Sequence, residues 1–253
     1  MSFASQVKAE LCRQPPRKKC CAVAMAYGAL LYCNTFSPRE IRLVTASGEF
    51  ASLLPRLFRR AFGLGFDEQP EPEAQGKRRF LTTEPEKTAA VFRAFGMEPE
   101  DTLALHINLG VLESDCCRAS FVRGAFLAGG SVTDPLKSYH LELVTAHASV
   151  SRELGSLLYE LGFEPGQARR GANYVSYFKQ SETIADFLTA IGAPVAALDV
   201  MSAKVERDMR NEINRKVNCD TANADKTVAA AQQQLEAIRA VEREYGLDGL
   251  PEG

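Results

Sequence analysis

No stretch of this sequence approaches the roughly 20 consecutive apolar residues that a membrane-spanning helix needs. The N-terminus, MSFASQVKAELCRQ, lacks the apolar core of a secretory signal. Both absences point to a cytoplasmic chain, in which the seven cysteines are reduced thiols rather than a disulfide framework. Charge of neither sign is in excess. The 30 Lys and Arg against 32 Asp and Glu leave −2, which excludes a uniformly basic nucleic-acid coat but not a local basic face. Histidine is scarce. His106, His140 and His147 have no nucleophile partner, and His140 and His147, seven apart in a strand-like segment, fall on opposite faces. None of the three is assigned a catalytic role. Tryptophan is absent, which excludes nothing. The rest is ordinary: 45% apolar and 25% charged residues over 253 positions, enough core for one large domain or two of usual size.

The chain contains itself twice. Cys20-Cys21 and Cys116-Cys117 lie 96 residues apart, and the segments that begin with these pairs match: CCAVAMAYGALL and CCRASFVRGAFL. At that offset Gly28 falls on Gly124, Ala29 on Ala125 and Leu31 on Leu127. Leu43–Ser47 (LVTAS) matches Leu143–His147 (LVTAH) at an offset of 100, so the second copy carries about four extra residues before this strand. Offset 96 then returns, with Glu86 on Glu182, Ala94 on Ala190 and Gly96 on Gly192. The duplication spans about 20–97 and 116–193. Periodicity predicts in each copy an apolar helix, a β-branched strand, a second helix, another strand and a third helix ended by glycine, at Gly96 and Gly192. Spacing of four aligns Ala24, Gly28 and Tyr32 on the first helix of one copy, and Ser120, Gly124 and Ala128 on that of the other. Small residues at that spacing let two backbones approach, so the two helices are expected to pair through Gly28 and Gly124 about a pseudo-twofold axis.

VRGAFLAGGSV (Val122–Val132) resembles the LAGLIDADG motif of homing endonucleases, with Gly124 and Gly130 on the motif's glycines; AMAYGALLYCN is a weaker match. The resemblance implies an α+β fold: a duplicated αββαββα unit with pseudo-twofold symmetry, whose saddle-shaped sheet straddles DNA in active relatives. Those enzymes hold divalent metals on one acid near the end of each motif helix. Here the acid positions are occupied by Cys33 and Gly129, and neither a thiol nor a glycine suits a hard cation. Asp134, five residues on, precedes Pro135 and reads as a turn residue. Metal-dependent cleavage is therefore not expected, and no catalytic, cofactor or metal residues are assigned.

The likeness extends further. SFASQVKAEL, both Cys-Cys helices, GAFLAGGSVTDPLKSYHLEL and NEINRKVNCDTANADKT together resemble the WhiA family of bacterial sporulation transcription regulators. In that family a degenerate LAGLIDADG domain precedes a C-terminal helix-turn-helix that binds promoters. The expected division is a helical arm (1–19), a first LAGLIDADG-like repeat (20–110), a second (111–197), and a helical linker (198–253). On this reading the chain stops at GLDGLPEG, where the helix-turn-helix would begin, leaving that module largely missing. The resemblance implies a nucleoid-associated regulator of sporulation or cell division. Its partners would be double-stranded DNA and another transcription regulator or RNA polymerase. An endonuclease with atypical ligands and a protein-interaction scaffold are the competing classes.

Other features bear on chemistry. Two Cys-Cys pairs invite a zinc site, but adjacent helical cysteines point in different directions and lack the usual spacing of two to four, so buried thiols are expected. Cys12 and Cys219 have no metal-like spacing either. Among the basic clusters are Arg17-Lys18-Lys19 and the helix residues Arg56, Arg59 and Arg60. Lys77, Arg78 and Arg79 open a strand and Arg169-Arg170 precede one, which makes these five the candidate DNA contacts. DEQPEPE (67–73) is their nearest screen. Leu198, Met201, Val205, Met209 and Ile213 mark a helix. NRKVNCDTANAD suggests a turn-rich connector, and a last helix runs from about Lys226 to Tyr245 with Val228, Leu235, Ile238 and Val241 on one face.

Overall fold

The structure, a computed structural model, describes residues 2–71, 76–100 and 104–246; Pro251 and the rest of GLDGLPEG after Gly246 lie outside them. Its elements follow the duplication closely. Helix α1 (Phe3–Arg13) comes first, capped by Ser2, whose hydroxyl accepts from the Ser5 amide. The first copy is then α2 (Lys19–Leu31), β1 (Thr35–Phe36), β2 (Ile41–Thr45), α3 (Gly48–Phe62), β3 (Arg78–Thr82) and α4 (Pro85–Ala94). The second is α5 (Asp115–Gly129), β4 (Gly130–Val132), β5 (Leu141–Thr145), α6 (Ala148–Glu160), β6 (Gly166–Arg170), β7 (Asn173–Phe178) and α7 (Ser181–Ile191). Each copy carries an antiparallel sheet, in the order β1-β2-β3 and β4-β5-β7-β6. This is the expected α+β architecture, completed by a long last helix, α8 (Pro194–Tyr245).

The two motif helices meet at their glycines. A Cβ on Gly28 would collide with the carbonyl oxygen of Phe121 and lie 2.9 Å from the Ala125 nitrogen. A Cβ on Gly124 would collide with the carbonyl oxygen of Met25 and lie 2.9 Å from the Ala29 nitrogen. Since Met25 and Ala29 correspond to Phe121 and Ala125 in the other copy, the crossing reproduces itself under exchange of the repeats. Around it the helices bury Met25, Tyr27, Leu30, Phe121, Phe126 and Leu127, joining both copies in one core. Thr145 ties the copies again, its buried hydroxyl donating to the Leu31 carbonyl at 3.0 Å.

The arm is part of this core, through Val7 and Leu11. Glu10 caps α8, accepting from the Val195 and Ala196 amides at 2.8 and 3.0 Å. Arg123, inside the motif, donates to the Ile191 and Gln14 carbonyls and so closes the end of α7 onto the arm.

Within the acidic stretch Glu68 partners the basic cluster, pairing with Arg79, whereas Asp67 serves the start of α4. The Asp67 carboxylate accepts from the Thr83 and Glu84 amides at 2.7 and 2.9 Å and from Lys87 at 2.6 Å. Burial alone would raise its pKa, but Lys87 and the two amides outweigh this and hold it at about 2. The folded pKa thus lies below the unfolded one. The stabilisation is present above about pH 4 and is lost as pH falls through about 2. Asp67→Asn should cost about 0.5–2 kcal/mol near neutrality. In urea titrations the gap from the parent chain should stay constant above about pH 5 and close on acidification. A pH-independent gap would assign Asp67 another role.

The chain divides into two units, residues 1–203 and 204–253. The expected turn-rich connector is absent. NRKVNCDTANAD lies within the unbroken α8, which contains no Gly or Pro after Pro194 and starts with proline, a favoured first residue. Asn and Asp disfavour helix by only a few tenths of a kcal/mol each, less than about 0.7. Thr227 also folds its hydroxyl back onto the Asn223 carbonyl. Ala196, Ala197, Val200 and Ala203 are buried, whereas Val205, Met209, Ile213, Val217, Val228, Leu235, Ile238 and Val241 are exposed. Gly246, at φ +68°, ends the helix.

Candidate nucleic-acid interface

Strand register decides which side of each sheet a basic residue occupies, because directly paired residues share a face and neighbours along a strand alternate. In the first sheet Phe36, Ile41, Leu43 and Phe80 face the core. Arg78 shares the Phe80 face. It turns toward α3, where it lines a hollow with Arg13, Gly48, Ser52 and Arg56. Arg79 lies on the opposite, open face with Arg42, a residue that nothing in the sequence pattern singles out. Both are engaged: Arg79 with Glu68 at 2.7 Å, and Arg42 with Glu40 at 3.3 Å and the Thr35 hydroxyl at 2.9 Å. Lys77 is exposed just before β3.

In the second sheet, Arg169 and Arg170 precede β7 as expected, but they also form the end of a further strand, β6. GQARR has no apolar alternation to announce it. It is held as an edge strand by a tight turn at Gly171, whose φ of +60° suits glycine. Arg169 falls on the helix-side face, beside the Tyr174 ring at 5.7 Å. Arg170 is on the open face and grips Glu142 with both terminal nitrogens, at 3.3 and 2.9 Å. Arg170 first, then His140 at 3.2 Å, hold the Glu142 carboxyl below its usual range. His140 stacks on Tyr177, and Lys179 lies over the same ring. The five candidate basic contacts therefore do not gather on one surface. The open faces carry paired charges of both signs, which sequence could not show without the register.

The acid positions lie where α2 and α5 end. Cys33 donates its thiol to the Thr35 carbonyl at 3.1 Å, and burial pushes its pKa up to about 12, so it stays protonated. Gly129 has no room for a side chain. A Cβ there would sit 2.5 Å from the Val144 carbonyl oxygen and 2.9 Å from the Tyr32 ring. Tyr32 fills the space, and burial raises its pKa. Asp134 belongs to a turn, its backbone carbonyl accepting from Lys137 and Ser138 and its carboxylate from the Leu136 amide.

The other ends of the same helices hold the cysteines, and here the expectation fails in two respects. Cys20 and Cys116 are exposed; only Cys21 and Cys117 are buried. The pairs also converge rather than point apart. The sulfurs of Cys20, Cys21 and Cys117 all lie within 4.8 Å of one another. Cys20 interacts with Cys117, and Cys21 with Cys116, across the two helices. The convergence comes from pairing two helices 96 residues apart in sequence, so spacing rules for a single loop miss it.

Comparison with known proteins agrees with this architecture. A probable cell division protein WhiA from Ruminiclostridium cellulolyticum is 36% identical over 260 residues, covering 100% of this chain and 83% of the relative. One from Macrococcus caseolyticus is 33% identical over 259 residues, covering 100% and 82%. The chain belongs to the WhiA family. The WhiA LAGLIDADG-like domain matches residues 118–210, and the WhiA C-terminal HTH domain matches residues 213–253. The crystal structure of full-length DUF199/WhiA from Thermatoga maritima shares the fold, with a TM-score of 0.71 at 22% identity over 99% of this chain and 83% of that one. The N-terminal LAGLIDADG domain of DUF199/WhiA aligns with a TM-score of 0.57 at 20% identity, over 76% and 92%. The HTH match corrects the expectation that this module is largely missing. The WhiA HTH region starts at Ile213, within the segment expected to be a linker, and its described residues are helical to Tyr245. Among the described residues no helix is long and apolar enough to cross a membrane.

Proposed function

We propose that this chain is a non-catalytic, DNA-binding transcription regulator of the sporulation and cell-division type, with duplex DNA recognised through residues 213–253. The match of that segment to the WhiA HTH domain carries the reading. The blocked acid positions support the non-catalytic half of it, since Gly129 has no space for a carboxylate and Cys33 is a protonated thiol engaged with a carbonyl. The duplicated domain serves as scaffold, and its mixed-charge sheet faces suit a protein partner, such as another regulator or RNA polymerase, better than a phosphate backbone.

This division of labour predicts where charge matters. Arg215→Ala with Lys216→Ala, an adjacent basic pair within the matched HTH segment, should weaken duplex binding and make it less salt-dependent. The slope of log K against log[salt] should fall by about two. Arg79→Ala with Arg170→Ala should leave affinity within about twofold, because both side chains already serve acids. Fluorescence anisotropy with one duplex over a salt series measures both. Equal losses from the two pairs would return the duplicated domain to the DNA interface.

A further inference from the structure

We infer that Cys20, Cys21, Cys116 and Cys117 form a thiolate site for a soft, tetrahedral divalent metal, zinc by preference, which staples the two repeats together at the start of their motif helices. Three of the four sulfurs already lie within 4.8 Å of one another. Zinc–sulfur bonds of about 2.3 Å at tetrahedral angles place sulfurs roughly 3.8 Å apart, so modest side-chain rotation closes the set. The fourth ligand is supplied by the symmetry of the fold. Exchange of the repeats carries the Cys20–Cys117 pair onto Cys116–Cys21, and Cys116, at the repeat position of Cys20, is close enough to Cys21 to perturb its thiol. Four sulfurs and no carboxylate or imidazole select zinc over magnesium or manganese. A cluster carrying its own sulfide ions would need its cysteines further apart.

The surroundings suit the charge. A divalent metal with four thiolates carries two net negative charges. Both cysteine pairs occupy the first turn of their helices, α2 from Lys19 and α5 from Asp115, so two positive helix ends point at the site. Arg17, Lys18 and Lys19 immediately precede it. The site lies one helix length from Cys33 and Gly129, about 20 Å for the 13 residues of α2, so it is separate from the positions where endonucleases keep their metals.

The test uses the whole chain, reduced and stripped with a chelator, then titrated with cobalt(II) as a spectroscopic stand-in for zinc. One equivalent should produce intense visible bands and thiolate-to-metal charge transfer of a tetrahedral sulfur site, and one equivalent of zinc should bleach them. Cys20→Ser with Cys117→Ser should weaken binding by more than the roughly 10–100-fold that loss of a supporting hydrogen bond alone costs. Cys12→Ser with Cys219→Ser should bind as the parent does. Zinc should raise the melting temperature of the parent and of this control, but not of the Cys20/Cys117 variant. Weak octahedral spectra would overturn the inference. So would binding that survives Cys20→Ser with Cys117→Ser, or thiol counts showing the four cysteines paired as disulfides under conditions that keep Cys12 and Cys219 reduced.

Discussion

Gly28→Ala and Gly124→Ala should each lower the melting temperature by roughly 6–12 °C, the size expected for about 3 kcal/mol in a domain of about 200 residues. The added methyl has nowhere to go. At either glycine it would overlap a backbone carbonyl of the opposite helix, with a backbone nitrogen 2.9 Å away. Backbone cannot swing aside as a side-chain tip can, so the helices must separate. Separation loosens the packing of Met25, Leu30, Phe121 and Phe126, which are fully buried. The usual gain in helix propensity on replacing glycine by alanine, about 1 kcal/mol, is too small to compensate. The double variant should cost less than the two singles together, because the first methyl has already opened the crossing the second would strain. Gly65 is the control. A Cβ there meets nothing within 4 Å and its φ is not positive, so Gly65→Ala should change stability by less than about 0.5 kcal/mol. Thermal melts of the four variants decide the matter. Unchanged melting for Gly28→Ala and Gly124→Ala would mean that the helices do not cross at these residues.

The repeat is legible in sequence because its physics is local. A helix pair that crosses this closely needs glycine at the contact, and Gly28 and Gly124 stand 96 residues apart in matching blocks. The strands of the two copies obey the same rule: β2 and β5 occupy 41–45 and 141–145, the offset read from LVTAS and LVTAH. Legibility fails where the outcome depends on which elements meet. Arg78 and Arg79 are neighbours in sequence, yet one turns toward α3 and the other to the open face; only pairing with β2 says which. Arg170 finds Glu142 two strands away. The cysteine group needs both helix N-termini at once. In α8 the error is one of weight: Asn214, Asn218 and Asn223 read as turns, but nothing there forbids helix as glycine or proline would.

Restoring the acids should not restore a nuclease. Cys33→Asp combined with Gly129→Asp is expected to lose about 4 kcal/mol or more, the sum of overpacking at about 1–3 kcal/mol and of a buried, unpartnered charge at about 3–5. At Gly129 the Cβ alone would stand 2.5 Å from the Val144 oxygen and 2.9 Å from the Tyr32 ring, before any carboxylate is added. At Cys33 the present thiol donates a hydrogen bond to the Thr35 carbonyl. An aspartate there would face that carbonyl with a second acceptor and repel it. Binding magnesium would relieve the repulsion only if both carboxylates converged on one cavity, and the Tyr32 ring occupies the space beside Gly129. Cys33→Ser, which keeps a donor for Thr35, should be close to neutral. Thermal melts and a supercoiled-plasmid nicking assay with magnesium or manganese measure the two halves of this expectation. A Cys33→Asp/Gly129→Asp chain that melts with the parent and nicks DNA would show that the fold kept the endonuclease site and lost only its acids. Failure of both would show that the site was closed by packing, through Gly129 and Tyr32, as well as by the loss of ligands.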